Sequence, residues 1–344
     1  MDSGASSAHY EQAFAFDVEG RLSGDNPEAR LLELLAEAHP CYAGRSEQAV
    51  ARMRGYVLSR LARLDRLSTA VLPYLREELE TGHHPYLLAA SARALARVHS
   101  LSDEWIPLIE RAQQRIRPGD EFLQFDSYPL SSSTKRATTA VIELERVRRS
   151  LSSDSASVVP ATSDRITLLG SSDVPSRRNL VRHDLFGIEL EDHRGMRLTF
   201  GQLVRGWPTF VTFFYTRCNN PSKCSANVAR WGELIRTLRR RGMEEARSIA
   251  ISYDPAYDTP ERLAAYATDR GVELSEDHRA LRVPEGFVEF QRAFGLNVGY
   301  AQATVNRHAS EAFVLDREGK VAAAIVRSNW TVDEVLSALA SVSA

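Results

Sequence analysis

Cys218 and Cys224 are the residues of this chain best suited to chemistry. They are two of only three cysteines in 344 residues, and Asn219-Asn220-Pro221-Ser222-Lys223 separates them. A thiolate attacks disulfides and ligates soft metals, and it forms most readily beside cations or at a helix N-terminus. Arg217 and Lys223 adjoin the pair. The alternative is two small apolar core residues, but a polar loop containing Pro and Asn has little use for two packed cysteines.

The elements on either side must position this loop. Val211 to Thr216 is an unbroken apolar and β-branched run, the pattern of a strand buried on both faces. Val228, Trp231, Leu234, Ile235 and Leu238 recur at helical spacing, so a helix begins near Ser225. Both cysteines therefore flank one loop between a central strand and a helix N-terminus, whose positive end favours a thiolate.

Upstream, residues 1 to 27 are polar and read as loosely ordered, followed by a helix over Pro27 to Ala38. Cys41 stands two residues after His39, but with no further ligands nearby it reads as a packed cysteine. From Ser46 to Arg117 an internal repeat is visible. Val71-Leu72-Pro73-Tyr74-Leu75 returns as Trp105-Ile106-Pro107-Leu108-Ile109, and Leu61-Ala62-Arg63-Leu64 as Leu95-Ala96-Arg97-Val98, both offset by 34 residues. Each unit reads as a helix pair that must stack on a neighbour to bury its apolar face. A Pro in the apolar run of each second helix resembles HEAT-type repeats. A third partial unit is expected at Thr134 to Leu151, after a long loop with Pro118, Gly119 and Pro129.

Ser150 to Arg178, rich in Ser and Asp, reads as a linker. Beyond it, Ile188 to Glu191 and Met196 to Phe200 flank a hairpin turn with Gly195. After the cysteine loop and its helix come a strand over Ser248 to Tyr253 and a helix opened by Thr259-Pro260. A strand near Ala280 to Val283, a helix over Glu285 to Phe294 and a Gly- and Asn-containing loop lead to His308. Strands over Ala312 to Leu315 and Val321 to Val326, then a helix from Val332, complete the chain. This order is the thioredoxin layout, and the whole reads as an α-helical repeat domain (1–149), a linker (150–178) and an α/β thioredoxin-like domain (179–344).

Three places in the last domain resemble the Sco/SenC family of thioredoxin-fold copper chaperones. Phe214-Tyr215-Thr216-Arg217-Cys218 matches the strand that ends in the family's first cysteine, with Cys224 as the second. Ser252 to Pro260 is similar to the family's aspartate-rich strand-to-helix junction, and His308, eight residues before Asp316, to its histidine. The resemblance implies a copper site ligated by Cys218, Cys224 and His308. Soft thiolates select Cu(I), and imidazole accepts either copper state. The family separates its cysteines by three residues rather than five, and often has an acid where this chain has Arg307. Arg217, Lys223 and Arg307 would surround the site with three cations, which favours a thiol-disulfide oxidoreductase or redox sensor working through Cys218 and Cys224. Asp254 and Asp258 are expected to cap the following helix and shape its turn. His83, His84, His183, His193 and His278 show no ligand spacing and read as surface or structural.

Net charge of −2 points to no nucleic-acid partner. Neither a signal peptide nor a membrane span is read, so a cytoplasmic location is expected. Expected partners are a redox or copper-accepting protein, and a protein held by the helical repeats, which on their own would make the chain an interaction scaffold.

Overall fold

The computed structural model describes residues 3–99, 101, 103–116, 123, 125, 128, 138–153, 167–168, 183–302 and 304–343. They gather into two compact units, residues 1–162 with 299–308, and residues 163–298 with 309–344.

The first unit contains helices α1 (Ser3–Leu22), α2 (Pro27–Glu33), α3 (Glu47–Leu61), α4 (Leu72–Thr81), α5 (Pro85–Leu95), α6 (Trp105–Arg115) and α7 (Ala140–Ser153). The N-terminal stretch expected to be loosely ordered is thus helical. Tyr10, Phe14, Val18 and Leu22 recur every fourth residue, and Phe14 and Val18 are buried in the unit's core. This apolar stripe is hidden among polar neighbours, so average polarity misleads where periodicity does not. α2 stops at Glu33 rather than running to Ala38, because the Leu34 and Leu35 amides bond three residues back, to Leu31 and Leu32 carbonyls at 3.1 and 2.9 Å. Buried Leu34 and Leu35 reward that tightening.

The 34-residue offset corresponds to two helix pairs, α3 with α4 and α5 with α6. α3 packs on α5 and α4 on α6, while α7 covers α5 and α6. The Leu67 amide donates to the Arg97 carbonyl at 2.9 Å, joining the turns that follow α3 and α5. Pro118, Gly119, Pro129 and the start of the expected third unit at Thr134 lie outside the described residues. So does most of the expected linker, of which residues 150–153 finish α7.

Within that linker Thr167–Leu168 forms strand β1. The sheet unit continues with β2 (Glu189–Asp192), β3 (Arg197–Thr199), α8 (Phe200–Val204), β4 (Thr209–Phe214), α9 (Ala226–Arg240), β5 (Arg247–Ser252), α10 (Pro260–Thr268), β6 (His278–Arg282) and α11 (Phe287–Phe294). Then follow β7 (Val298–Tyr300), β8 (Val305–His308), β9 (Glu311–Leu315), β10 (Val321–Val326) and α12 (Val332–Ser343). Eight strands form one sheet in the order β1-β10-β9-β4-β5-β6-β2-β3. β4 runs parallel to β5 and β5 to β6, with α9 and α10 as crossovers. β9 pairs antiparallel with β4, and β10 with β9. This is the thioredoxin-like arrangement expected. Every residue of β4 is buried, as its continuous apolar run requires for the middle of a covered sheet.

α9 approaches the turn after α10 so closely that a Cβ on Gly232 would lie 2.6 Å from the Gly271 carbonyl oxygen. Gly232→Ala is therefore expected to destabilise this unit by about 1–3 kcal/mol, read as a lower urea midpoint with unchanged slope. An unshifted midpoint would mean that the turn yields freely.

The stretch between Phe294 and His308, expected to be a loop, holds a two-stranded ribbon of β7 and β8. Residues 299–308 of this ribbon belong to the helical unit. Its few apolar residues carry no strand signal, because its anchors are polar contacts to distant residues. Among the described residues no helix is long and apolar enough to cross a membrane.

Candidate metal centre

β4 delivers the chain to Cys218, and one buried carboxylate holds the strand end in place. Asp258 is fully buried. It accepts hydrogen bonds from the Thr216 amide at 3.2 Å and from the Thr216 and Ser252 hydroxyls. Burial pushes its carboxyl upward while these donors pull it down. It thereby ties the end of β4 to the end of β5. The expectation that Asp254 and Asp258 cap α10 needs correction. The turn exists, with the Tyr257 and Asp258 amides donating to the Asp254 carbonyl at 3.1 and 2.9 Å. The side chains, however, work elsewhere. Asp254 accepts from Arg217 Nε at 3.1 Å, and the N-cap of α10 is Thr259 without a side-chain cap. An Asp just before a helix carries the same sequence signature in either role.

The last three of the five residues between the cysteines enter one tight turn over Pro221–Ser225, capped by Asn220, in which Lys223 departs from helical angles (φ −103°, ψ −106°). Asn220 Oδ1 accepts from the Ser222 amide at 2.9 Å, and the Asn220 carbonyl from the Lys223 amide at 3.1 Å. Asn227, in the first turn of α9, donates through Nδ2 to Thr212 Oγ1 at 2.9 Å and to the Phe213 carbonyl at 3.1 Å. These bonds fix the helix start against β4, so the longer spacing still returns Cys224 to Cys218.

His308 closes the ribbon. The next amide, of Ala309, donates to the Asn297 carbonyl at 2.8 Å, and Tyr253 Oη donates to the Ala309 carbonyl at 3.4 Å. The two sulfurs and a ring nitrogen of His308 all lie within 4.8 Å of one another. Three donors spread evenly at about 2.0–2.3 Å around one ion would stand about 3.5–4.0 Å apart. A modest contraction of the donor set would therefore close it on an ion. Among the described residues it is the one group of three such side chains so arranged. Cys224 and His308 are buried and Cys218 is half-buried, with its Sγ 3.7 Å from the Asn220 carbonyl oxygen.

The electrostatics differ from expectation. Burial, and next the hydrogen bond and charge of Cys218, hold the Cys224 thiol well above its ordinary range. Proximity to a helix N-terminus does not offset that desolvation. The three expected cations are also largely spoken for. Arg217 pairs with Asp254 and lies over the Tyr257 ring at 4.0 Å. Arg307 pairs with Glu78, and the two-residue period of a strand puts it on the opposite face of β8 from His308. Lys223, itself buried, pulls the Cys224 thiol down only weakly. Cys41 lies apart, its thiol pushed up to about 12 by burial, as suits a packed cysteine.

Sequence reasoning missed Glu311 and Tyr253. Glu311 Oε1 accepts from the Asn297 amide at 2.9 Å, and Oε2 from Tyr253 Oη at 2.9 Å. The available signal was a single acid in the otherwise apolar strand Glu311–Leu315.

The SCO1/SenC family model matches residues 187–344, which include all three places that carried the resemblance. The chain matches no protein of curated function. Similar solved structures include a SCO1/SenC family lipoprotein from Bacillus anthracis, 18% identical over 45% of this chain and 92% of that one (TM-score 0.41). Bradyrhizobium japonicum ScoI with copper bound is 20% identical over 45% and 96% of the two chains (TM-score 0.37). Yeast Sco1 with copper bound is 20% identical over 44% and 84% (TM-score 0.37). Residues 187–344, which match the SCO1/SenC family model, are also where Cys218, Cys224 and His308 cluster.

Proposed function

We propose that this chain binds one copper ion through Cys218 Sγ, Cys224 Sγ and His308 and passes it to a thiol-bearing partner protein. The observation that carries this reading is the convergence of the three donor atoms within 4.8 Å. Two sulfurs and one imidazole are soft enough to select Cu(I) over harder ions. The pairing of Arg217 and Arg307 with acids removes the positive field that would oppose a cation. Half-exposed Cys218 on its short loop is the ligand a partner thiolate can reach first. Thiols must lose their protons to ligate, and Cys224 resists that loss through burial, so uptake weakens as pH falls.

The test is a Cu(I) titration of the reduced protein against a competing chelator. One tightly held ion is expected, lost in Cys218→Ser and Cys224→Ser and weakened in His308→Ala. If copper is not retained but two thiols vanish reversibly under mild oxidation, the second reading takes its place. In that reading Cys218 and Cys224 exchange two electrons and two protons with a disulfide partner as a dithiol-disulfide couple. The hydrogen bond between the two cysteines favours it.

A further inference from the structure

His308 is the one candidate ligand not held by the cysteine loop, and the residues just before it are clamped by the helical unit, through the connection between α2 and α3 and through α4. Asn306 is buried and donates through Nδ2 to the Tyr42 carbonyl at 2.8 Å and to the Arg45 carbonyl at 2.9 Å. Arg307 pairs with the fully buried Glu78. At the other strand of the ribbon, the Gly44 amide donates to the Tyr300 carbonyl at 2.9 Å. A Cβ on Gly299 would lie 2.5 Å from the Glu37 carbonyl oxygen, so only glycine permits this approach. These contacts run from 37 to 78 on the helical side and from 299 to 307 on the ribbon side, and they end one residue short of His308.

From this we infer that Asn306 and the Glu78–Arg307 pair are positioning residues for His308, so that the helical unit sets the third ligand and thereby the affinity of the site. The inference rests on the copper-binding reading above. The physical reason is that a histidine on a two-stranded ribbon is free to swing, since an isolated ribbon is marginally stable in water. Polar contacts on its backbone neighbours remove that freedom before the ion arrives, so the ordering entropy is not charged to binding. Releasing the clamp leaves two sulfurs, which still suffice for linear Cu(I), but loses the imidazole that Cu(II) prefers. A partner that loosens the ribbon from these anchors would therefore favour release of the ion.

The decisive experiment uses the full chain with Asn306→Ala, and with Arg307→Lys as a second variant that keeps the charge but loses the planar fork. Two quantities are read. The first, without metal, is hydrogen exchange of the 299–308 segment. It is expected to quicken in both variants while the 209–240 segment stays protected. The second is Cu(I) affinity by chelator competition, expected to fall by about tenfold. The fall should vanish when either change is made on top of His308→Ala, because the positioned ligand is already gone. Unchanged exchange in the ribbon overturns the inference, and so does a loss that persists in the His308→Ala background. Should the unaltered chain take up no Cu(I), the functional reading fails on its own, whereas the exchange measurement still decides whether Asn306 and Arg307 clamp the ribbon.

Discussion

Arg54→Met is expected to destabilise the helical unit by about 3–5 kcal/mol. Arg54 is fully buried on α3, and Nη2 reaches Glu37 Oε1 at 3.0 Å and Glu78 Oε1 at 3.2 Å, both equally buried. It also donates to the Leu35 carbonyl. Removing the guanidinium takes from two carboxylates held out of water the cation they share, while Arg307 still pairs with Glu78. Met fills a similar volume, so lost packing is a small part of the effect. The measurement is urea unfolding followed by far-ultraviolet circular dichroism, where the helices dominate. A loss below about 1 kcal/mol would place the net worth of the network in the range of a surface pair and remove its role as a rigid anchor. Because Glu78 is shared between Arg54 and Arg307, the variant should also quicken exchange in the ribbon.

Glu311→Gln is expected to abolish a pH dependence in the sheet unit. Burial raises the Glu311 carboxyl from its ordinary 4.5 to about 7, and the hydrogen bonds from Asn297 and Tyr253 only partly offset it. The folded chain then holds a proton that the unfolded chain has released. Stability is fully present below about 4.5 and falls as pH rises to about 7. Above that it stays lower by about 3 kcal/mol. Gln keeps an acceptor for Asn297 and never ionises, so it removes the slope. Unfolding of both proteins is followed between pH 4.5 and pH 8, and the difference is taken at each pH to cancel other titrating groups. The variant should gain on the original chain as pH rises. A constant difference would mean that Glu311 is ionised in the fold throughout, with the hydrogen bonds from Asn297 and Tyr253 and the charge of Arg327 outweighing desolvation.

Much of the site was legible in the sequence, for local reasons. The run from Val211 to Thr216 and the helical period from Val228 place the cysteine loop, because period and burial follow directly from residue type. The 34-residue offset is legible because repeated packing demands repeated sequence. The order of strands and helices after residue 188 likewise leads to the observed sheet. The sequence by itself thus determined the elements around the cysteine loop, the thioredoxin-like layout and the identity of Cys218, Cys224 and His308 as candidates.

The tertiary structure decided what those residues experience. Asp258 looks like a helix cap until its contacts with Thr216 and Ser252 are seen. Arg307 looks like a cation beside the site until Glu78, 229 positions away in the chain, takes it. Cys224 looks activated by a helix end until its burial is known. The ribbon of β7 and β8 has no apolar pattern to announce it, since Asn306 is held by the carbonyls of Tyr42 and Arg45 and Gly299 packs closely against that of Glu37. In each case the deciding quantity is desolvation or a polar partner distant in sequence. Neither has a period, so neither can be read from spacing along the chain.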